Sequence, residues 1–338
     1  MFAPMRTTAV VLTVLLASAG VSAVATAAPE APAAACTWRA TPVPVPAGAD
    51  PAYVHVSGAD GRGNYSGYYG PTSADVTFYR WVRGVPVKQA PAPGVSWTLP
   101  VDENAAGVVL LRGADFSGGT QKYYVLTQTR QGVYRQLTVP PGLTSLQPNA
   151  INNRGDVVAS ANRDSDGRGQ VLLWRAGSTQ ATVIDPSEID YPAATDIDED
   201  GTVLLTGGYQ VALWHNGTVT KLPKPESGVT ARGIANGRVL VLDLRTSTPV
   251  SYLWEPKTNW FVHLDRSGPA HAMNKRGLVS GSIGSWSGAP AVWHGTKFLA
   301  ELPVPAGAST ARATVVADDG TIFGETYQNT FPFSWTCR

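Results

Sequence analysis

Apolar or alternating runs five to seven residues long follow one another along most of the chain, each cut off by Gly, Pro, Asn or Asp; one group occupies 269–273, 277–282, 290–294 and 297–303. Alternation bounded by turn residues predicts short β-strands, and breakers at this density exclude long helices. The pattern repeats. Tryptophans near the end of the third run stand at Trp81, Trp174, Trp214, Trp254, Trp293 and Trp335, with spacings of 93, 40, 40, 39 and 42. The first spacing is two periods, and YYVLTQTRQG (123–132) fills the vacant place. A second landmark, an apolar residue and a turn ending in Gly, reads AINNRGDVV (150–158), DIDEDGTVL (196–204), GIANGRVLV (233–241), AMNKRGLVS (272–280) and VVADDGTIF (315–323), with looser copies HVSGADG (55–61) and DENAAG (102–107). Seven units of roughly 43 residues, four strands in each, predict an all-β, seven-bladed β-propeller with antiparallel blades.

The chain ends predict how the ring closes. PVPAGA occurs at 44–49 and again at 303–308, with a glycine 12 residues after each copy, at Gly61 and Gly320. The segment TWRATPVPVP is therefore in register with an outer strand, whereas the last unit stops after its third strand at Arg338. The N-terminal strand is expected to complete the last blade, which removes a free sheet edge. Aligning Trp335 with Trp293 places Cys337 on Gly295, and aligning the PVPAGA copies places Cys36 on the same glycine. A Cys36–Cys337 disulfide is thus expected at the turn that the termini interrupt.

Residues 1–28 have the layout of a signal peptide: Arg6, an apolar run from Ala9 to Ala19, and the small-residue site Ala25-Thr26-Ala27. Residues 29–35 read as a disordered lead-in and 36–338 as a single propeller domain, so an extracellular, monomeric protein with no membrane span is expected. Without the first 28 residues the chain has 25 basic and 25 acidic side chains, because Arg6 is the one charge removed. Neutrality argues against broad capture of nucleic acid or anionic membrane.

The units AINNRGDVVAS…QVLLWRAG (150–177), DIDEDGTVLLTGG…VALWHNG (196–217) and AMNKRGLVSGS…PAVWHG (272–295) resemble those of bacterial extracellular HAF-repeat proteins, although no His-Ala-Phe triplet is present. The resemblance implies repeated blades and export. It carries no common reaction, so no catalytic residue follows from it.

Most motifs read as architecture. The turns Asn152–Gly155, Asp198–Gly201 and Asn274–Gly277 pair a side-chain acceptor with a glycine suited to positive φ. The repeated tryptophan suits packing between blades. Alternating oxygen ligands at Asn162, Asp164 and Asp166, followed by Gly167, make a candidate calcium loop, and Asp196, Asp198 and Asp200 a weaker one that doubles as an ordinary turn. Both lack a position-twelve Glu, and no other cofactor is expected. His55 and His271 both stand six residues before a turn glycine, which places them together at the axis with Val101, Asn149, Thr195, Arg232 and Thr314 as counterparts.

In propellers the b–c and d–a connections share one face, and here these are the long, varied ones. On that face Tyr68, Tyr69, Trp97, Tyr191, Tyr209, Trp286 and Tyr327 are candidate ligand-binding aromatics. Flat rings beside short polar groups suit a glycan or a protein partner. A non-catalytic secreted binding module is the first reading. The alternatives are a polysaccharide-acting enzyme with a carboxylate pair at the axis, drawn from Asp75, Asp115, Asp164, Asp190, Asp243 and Glu325, or a structural part of a secreted assembly.

Overall fold

Alternating side chains make each short strand apolar on the faces that meet its neighbours, and the chain stacks these strands into seven four-stranded antiparallel sheets. The computed structural model describes residues 36–72, 75–117, 121–208, 210–223, 228–326 and 331–338; the expected signal peptide and lead-in lie outside them. In chain order the inner strands, a, of blades 1 to 7 are Val54–Ala59, Trp97–Glu103, Leu143–Ile151, Ala193–Ile197, Val229–Ala235, Ser267–Met273 and Ala311–Val316. In blade 6 strands b, c and d follow at Leu278–Ile283, Pro290–His294 and Lys297–Glu301, within two residues of the runs in the sequence.

Blade 7 is completed by the N-terminal strand Trp38–Pro42, which pairs antiparallel with Pro332–Cys337 from Trp38 opposite Cys337 to Pro42 opposite Phe333. Backbone bonds extend the seam at both ends, Thr37 N–H donating to Arg338 O at 2.9 Å and Val43 N–H to Pro332 O at 3.0 Å. Cys36 and Cys337 form a disulfide. No helix among the described residues is long and apolar enough to cross a membrane.

The core is divided among seven clusters, each shared by two neighbouring blades; that between blades 3 and 4, for example, combines Val158, Val171 and Leu173 with Ile197, Val203 and Leu205. Strand c tryptophans tie these layers together. Trp81, Trp174, Trp254, Trp293 and Trp335 are at most 1% exposed. Four indole N–H groups donate to a carbonyl where the preceding blade's outer strand ends: Trp81 to Pro44 (2.7 Å), Trp174 to Thr138 (3.0 Å), Trp293 to Asp265 (2.6 Å) and Trp335 to Pro303 (2.8 Å). A large ring filling an interface and a polar edge satisfied across it explain why the residue recurs once per period.

The [Asn/Asp]-x-x-Gly turns do more than reverse the chain. Asn274 Oδ1 accepts from Arg276 N–H and Leu278 N–H, while its Nδ2 donates to Ala317 O of the next blade at 2.8 Å. Asn104 and Asn152 reach the next blade in the same way, to Asn152 O and Asp198 O, both at 3.0 Å. The turn amide is therefore a staple between blades, a role that hairpin chemistry alone does not reveal.

Candidate functional site

Each inner strand carries a β-bulge. In every blade the pairing of strands a and b skips one residue at an equivalent place, Ser57, Val101, Asn149, Thr195, Arg232, His271 and Thr314, and blades 3 and 6 have a second irregularity nearer the start of strand a. A bulge re-aims the unpaired side chain, and all seven of these residues line one axial cavity of about 320 Å³. This corrects the expected partnership of His55 with His271. In blade 1 the turn closes from Asp60 N–H to Asn64 O, as Asn274 N–H to Leu278 O does in blade 6. Gly63, at φ +84°, is therefore the counterpart of Gly277, and counting from Gly61 had shifted the register by two residues. Ser57 takes the axial place. His55 instead bonds through Nδ1 to Glu325 Oε2 at 3.1 Å, its ring 4.8 Å from that of Tyr68.

The turn end of the channel is spanned by a polar network. Asn153 N–H donates to Glu199 Oε1 (3.0 Å) and Asn153 Nδ2 to Asp318 Oδ2 (3.1 Å), while Lys275 pairs with Glu199 and lies 4.0 Å from Asp318. These side chains come from blades 3, 4, 6 and 7. All occupy the position after the turn Asn/Asp or its equivalent, and their polarity was the one signal of this role in the sequence.

Two carboxylates lie deeper on the wall, each beside a bulge. Asp102 accepts from Glu103 N–H (2.8 Å) and, across to blade 3, from Ile151 N–H (3.0 Å); Asp196 accepts from Ile197 N–H (2.8 Å) and, across to blade 5, from Ile234 N–H (2.8 Å). Both oxygens of each are thus committed to backbone. Burial pushes Asp102 up to about 7 against the pull of these bonds, the facing Asp196 charge adding to the rise, and burial likewise pushes Asp196 up to about 6.

At the loop-face end the surroundings are basic and aromatic. Trp286, from the b–c connection of blade 6, holds its ring 5.6 Å from that of His271, with the Arg232 guanidinium 5.8 Å away. Burial, followed by the charges of Arg312 and Arg232, pushes His271 down to about 4. Burial and the charge of Glu325 raise Tyr68.

These shifts predict opposing pH dependences. Asp102 and Asp196 hold protons more tightly folded than unfolded, so they lower stability as pH rises from the ordinary carboxyl range through about 6 to 7. His271, neutral when folded, lowers stability as pH falls from about 6.5 through about 4. His271→Gln is therefore expected to gain more in melting temperature than the parent on going from pH 7.5 to pH 5, as calorimetry at the two pH values measures.

Of the other aromatics chosen from sequence, Tyr69 packs into the cluster between blades 7 and 1 and lies edge-on to Tyr53 at 6.5 Å. Trp97 packs against Phe116 at 6.2 Å, and neither it nor Trp286 is among the residues lining the axial cavity. Tyr191 is 72% exposed, at φ +49°, between blades 3 and 4. Tyr209 and Tyr327 lie outside the described residues. Asn162 is the next-to-last residue of strand b of blade 3, which ends at Arg163, and Asp164 and Asp166 sit in the following turn, where Arg163 pairs with both Asp166 (3.3 Å) and Asp185 (2.8 Å). No group of three or more His, Cys, Asp or Glu side chains is gathered for a metal among the described residues. The six candidate carboxylates are dispersed over the blades. Asp115 accepts from Ser117 N–H, Asp243 from Arg245, and Glu325 is the partner of His55.

No family model matches the chain, and no curated protein does. Solved structures do. The β-propeller domain of the trilobed protease from Pyrococcus furiosus aligns with a TM-score of 0.57 at 11% identity, over 84% of this chain and 95% of that one. An oligogalacturonate lyase in complex with manganese aligns at 0.55 and 12% identity, over 89% and 96%. YCF48 bound to D1 peptide aligns at 0.54 and 10% identity, over 89% and 97%. The chain spans 62% of TolB from Acinetobacter baumannii and about half, 48%, of a puromycin hydrolase. At these identities the likeness is one of fold.

Proposed function

We propose that this chain is a secreted, non-catalytic binding module of HAF-repeat type that takes a glycan or a protein at the loop-face end of its channel. The carrying observation is Trp286, whose ring lies 5.6 Å from that of His271 and 5.8 Å from the Arg232 guanidinium, two side chains that line the axial cavity. A cavity of about 320 Å³ with convergent polar side chains, two of them in contact with an aromatic ring, suits one or two sugar rings or an inserted side chain. The disulfide supports export, since such bonds persist in oxidising compartments. Similar propellers include one bound to a peptide and one lyase, so the neighbourhood accommodates both binding and catalysis. The committed oxygens of Asp102 and Asp196 favour binding, because a general acid or base needs a free oxygen facing its substrate.

Screening the mature secreted protein on a glycan array and against purified extracellular proteins tests the reading. Trp286→Ala is expected to weaken capture about tenfold or more with melting unchanged within a few degrees, and Trp97→Ala reports whether the ligand extends to blade 2. Capture of nothing by the parent protein sinks the proposal, whereas equal unfolding of both variants assigns the tryptophans to packing. The enzymatic alternative draws on the His55–Glu325 pair beside Tyr68; release of product from a bound polysaccharide, abolished in Glu325→Gln, would decide for it.

A further inference from the structure

Each blade turns the edge of its outer strand, d, to the rim of the ring. Charges, prolines and short length keep such edges from pairing with other strands. Blade 1 has Pro86 and Lys88 in Val85–Lys88, blade 4 has Lys221 in Thr218–Lys221, blade 6 has Lys297 and Glu301 in Lys297–Glu301, and blade 7 has Arg39 and Pro42 in Trp38–Pro42. In blade 2 Arg135 stands in Tyr134–Leu137, and blade 3 offers only the short strand Thr182–Ile184. Blade 5 differs. Its outer strand Trp260–His263 contains no Lys, Arg, Asp, Glu or Pro, and all four residues are exposed, Trp260 at 71%, Phe261 at 40% and Val262 at 46%.

Leu264 N–H donates inward to Ser251 O of strand c at 3.0 Å. Alternate residues of an antiparallel ladder turn both backbone groups to one side, so Val262 and Trp260 bond inward while Phe261 and His263 present N–H and C=O outward. The same count in blade 1, from Gln89 N–H to Phe78 O at 3.0 Å, puts Pro86 where Phe261 stands. From Leu222, Leu302 and Val43, which donate inward in blades 4, 6 and 7, it puts Lys221, Glu301 and Pro42 where His263 stands. The positions guarded in those blades are therefore the open ones in blade 5. Lys257 before the strand and Asp265 after it are exposed, and neither makes an ion pair among the described residues.

We propose that the outer strand of blade 5 pairs antiparallel with the same strand of a second copy of this chain, across a two-fold axis at Phe261. Each Phe261 exchanges both backbone hydrogen bonds with its counterpart. Trp260 of one copy falls opposite Val262 of the other, twice, and an aromatic beside a β-branched residue stabilises adjacent strands. Lys257 of each copy falls opposite Asp265 of the other, so the two unpaired charges complement each other. A two-fold interface requires a self-complementary patch of this kind, which selects a second copy over an unrelated chain. The patch is small beside the roughly 20–30 residues that each side gives to a stable interface, so association is reversible, with a Kd on the order of 10–100 µM. The inference goes beyond the binding-module reading and replaces the monomer expected from the sequence. Because strand d lies farthest from the axis, both channels stay open and one dimer carries two of them.

The test is sedimentation velocity on the mature, disulfide-intact protein from about 1 µM to about 200 µM. The weight-average mass is expected to rise towards twice that of one chain, and the Phe261 and His263 amides to exchange more slowly at the high concentration. Trp260→Lys, at an exposed position, is expected to weaken association about tenfold or more while melting as the parent does. Phe261→Pro removes an outward N–H as Pro86 does in blade 1, and is expected to do the same if the lysine variant folds poorly. Lys257→Glu and Asp265→Lys are each expected to weaken the dimer about threefold or more, and the double variant to recover it. A parent protein that stays monomeric throughout, with or without another protein captured at this edge, would overturn the proposal. So would a dimer that persists in both Trp260→Lys and Phe261→Pro, which would place the interface elsewhere, and so would open-ended growth beyond the dimer. A charge swap that fails to restore association would overturn the register at Phe261.

Discussion

Replacing Cys36 and Cys337 by serine is expected to remove up to about 5–6 kcal/mol of stability, the chain-entropy figure for a closed loop of roughly 300 residues. The bond joins the two ends of the ring beside the seam where Trp38–Pro42 pairs with Pro332–Cys337. Without it those hydrogen bonds remain, but the closing strand is held only by its own pairing and packing. Unfolding is then expected to begin at this seam, because blades of a repeat protein are stabilised chiefly by their neighbours and blade 7 alone depends on residues from both ends of the chain. Thermal melts of the double variant, and of the parent under reductant, should agree and fall below the oxidised parent by up to about 10 °C. Hydrogen exchange should accelerate first in residues 37–43 and 332–338. Coincident melts of oxidised and reduced protein would refute the account.

Trp293→Ala is expected to cost about 3–5 kcal/mol, the range for emptying a large aromatic site in a packed core. The indole is wholly buried, packs in the cluster between blades 5 and 6, and donates to Asp265 O at 2.6 Å. Trp293→Phe separates the two contributions. It keeps most of the bulk and leaves the Asp265 carbonyl unpaired, at about 1–3 kcal/mol. Trp214 provides the internal contrast: it stands at the same place in blade 4 but is only partly buried and makes no indole hydrogen bond among the described residues. Trp214→Ala should therefore destabilise distinctly less than Trp293→Ala in urea unfolding. Equal losses would mean that position in the repeat, and not burial, sets the cost.

The residues that were legible in advance share one property, namely that their role is repeated. Trp81, Trp174, Trp254, Trp293 and Trp335 do one job in five blades, so spacing alone exposes it. The turn asparagines were visible for the same reason, although their reach to Asn152 O, Asp198 O and Ala317 O was not. His55 was misplaced because a register counted from the nearest glycine fails when a turn contains two of them, and in a strand a shift of one or two residues changes where a side chain is delivered. Trp286 was chosen from sequence as one aromatic among seven, with nothing to separate it from Trp97 or Tyr69.

Period, strand count, ring closure and cysteine pairing were determined by the amino-acid sequence itself, since each depends on residues recurring at fixed intervals and recurrence is a property of the linear chain. Which side chains face the axis was decided only in three dimensions. A one-residue bulge in every inner strand selects them, and Arg232, His271 and Arg312, from three different blades, acquire a common field once the ring has brought their strands side by side. Electrostatic coupling falls with distance through space, and separation along the chain does not measure that distance.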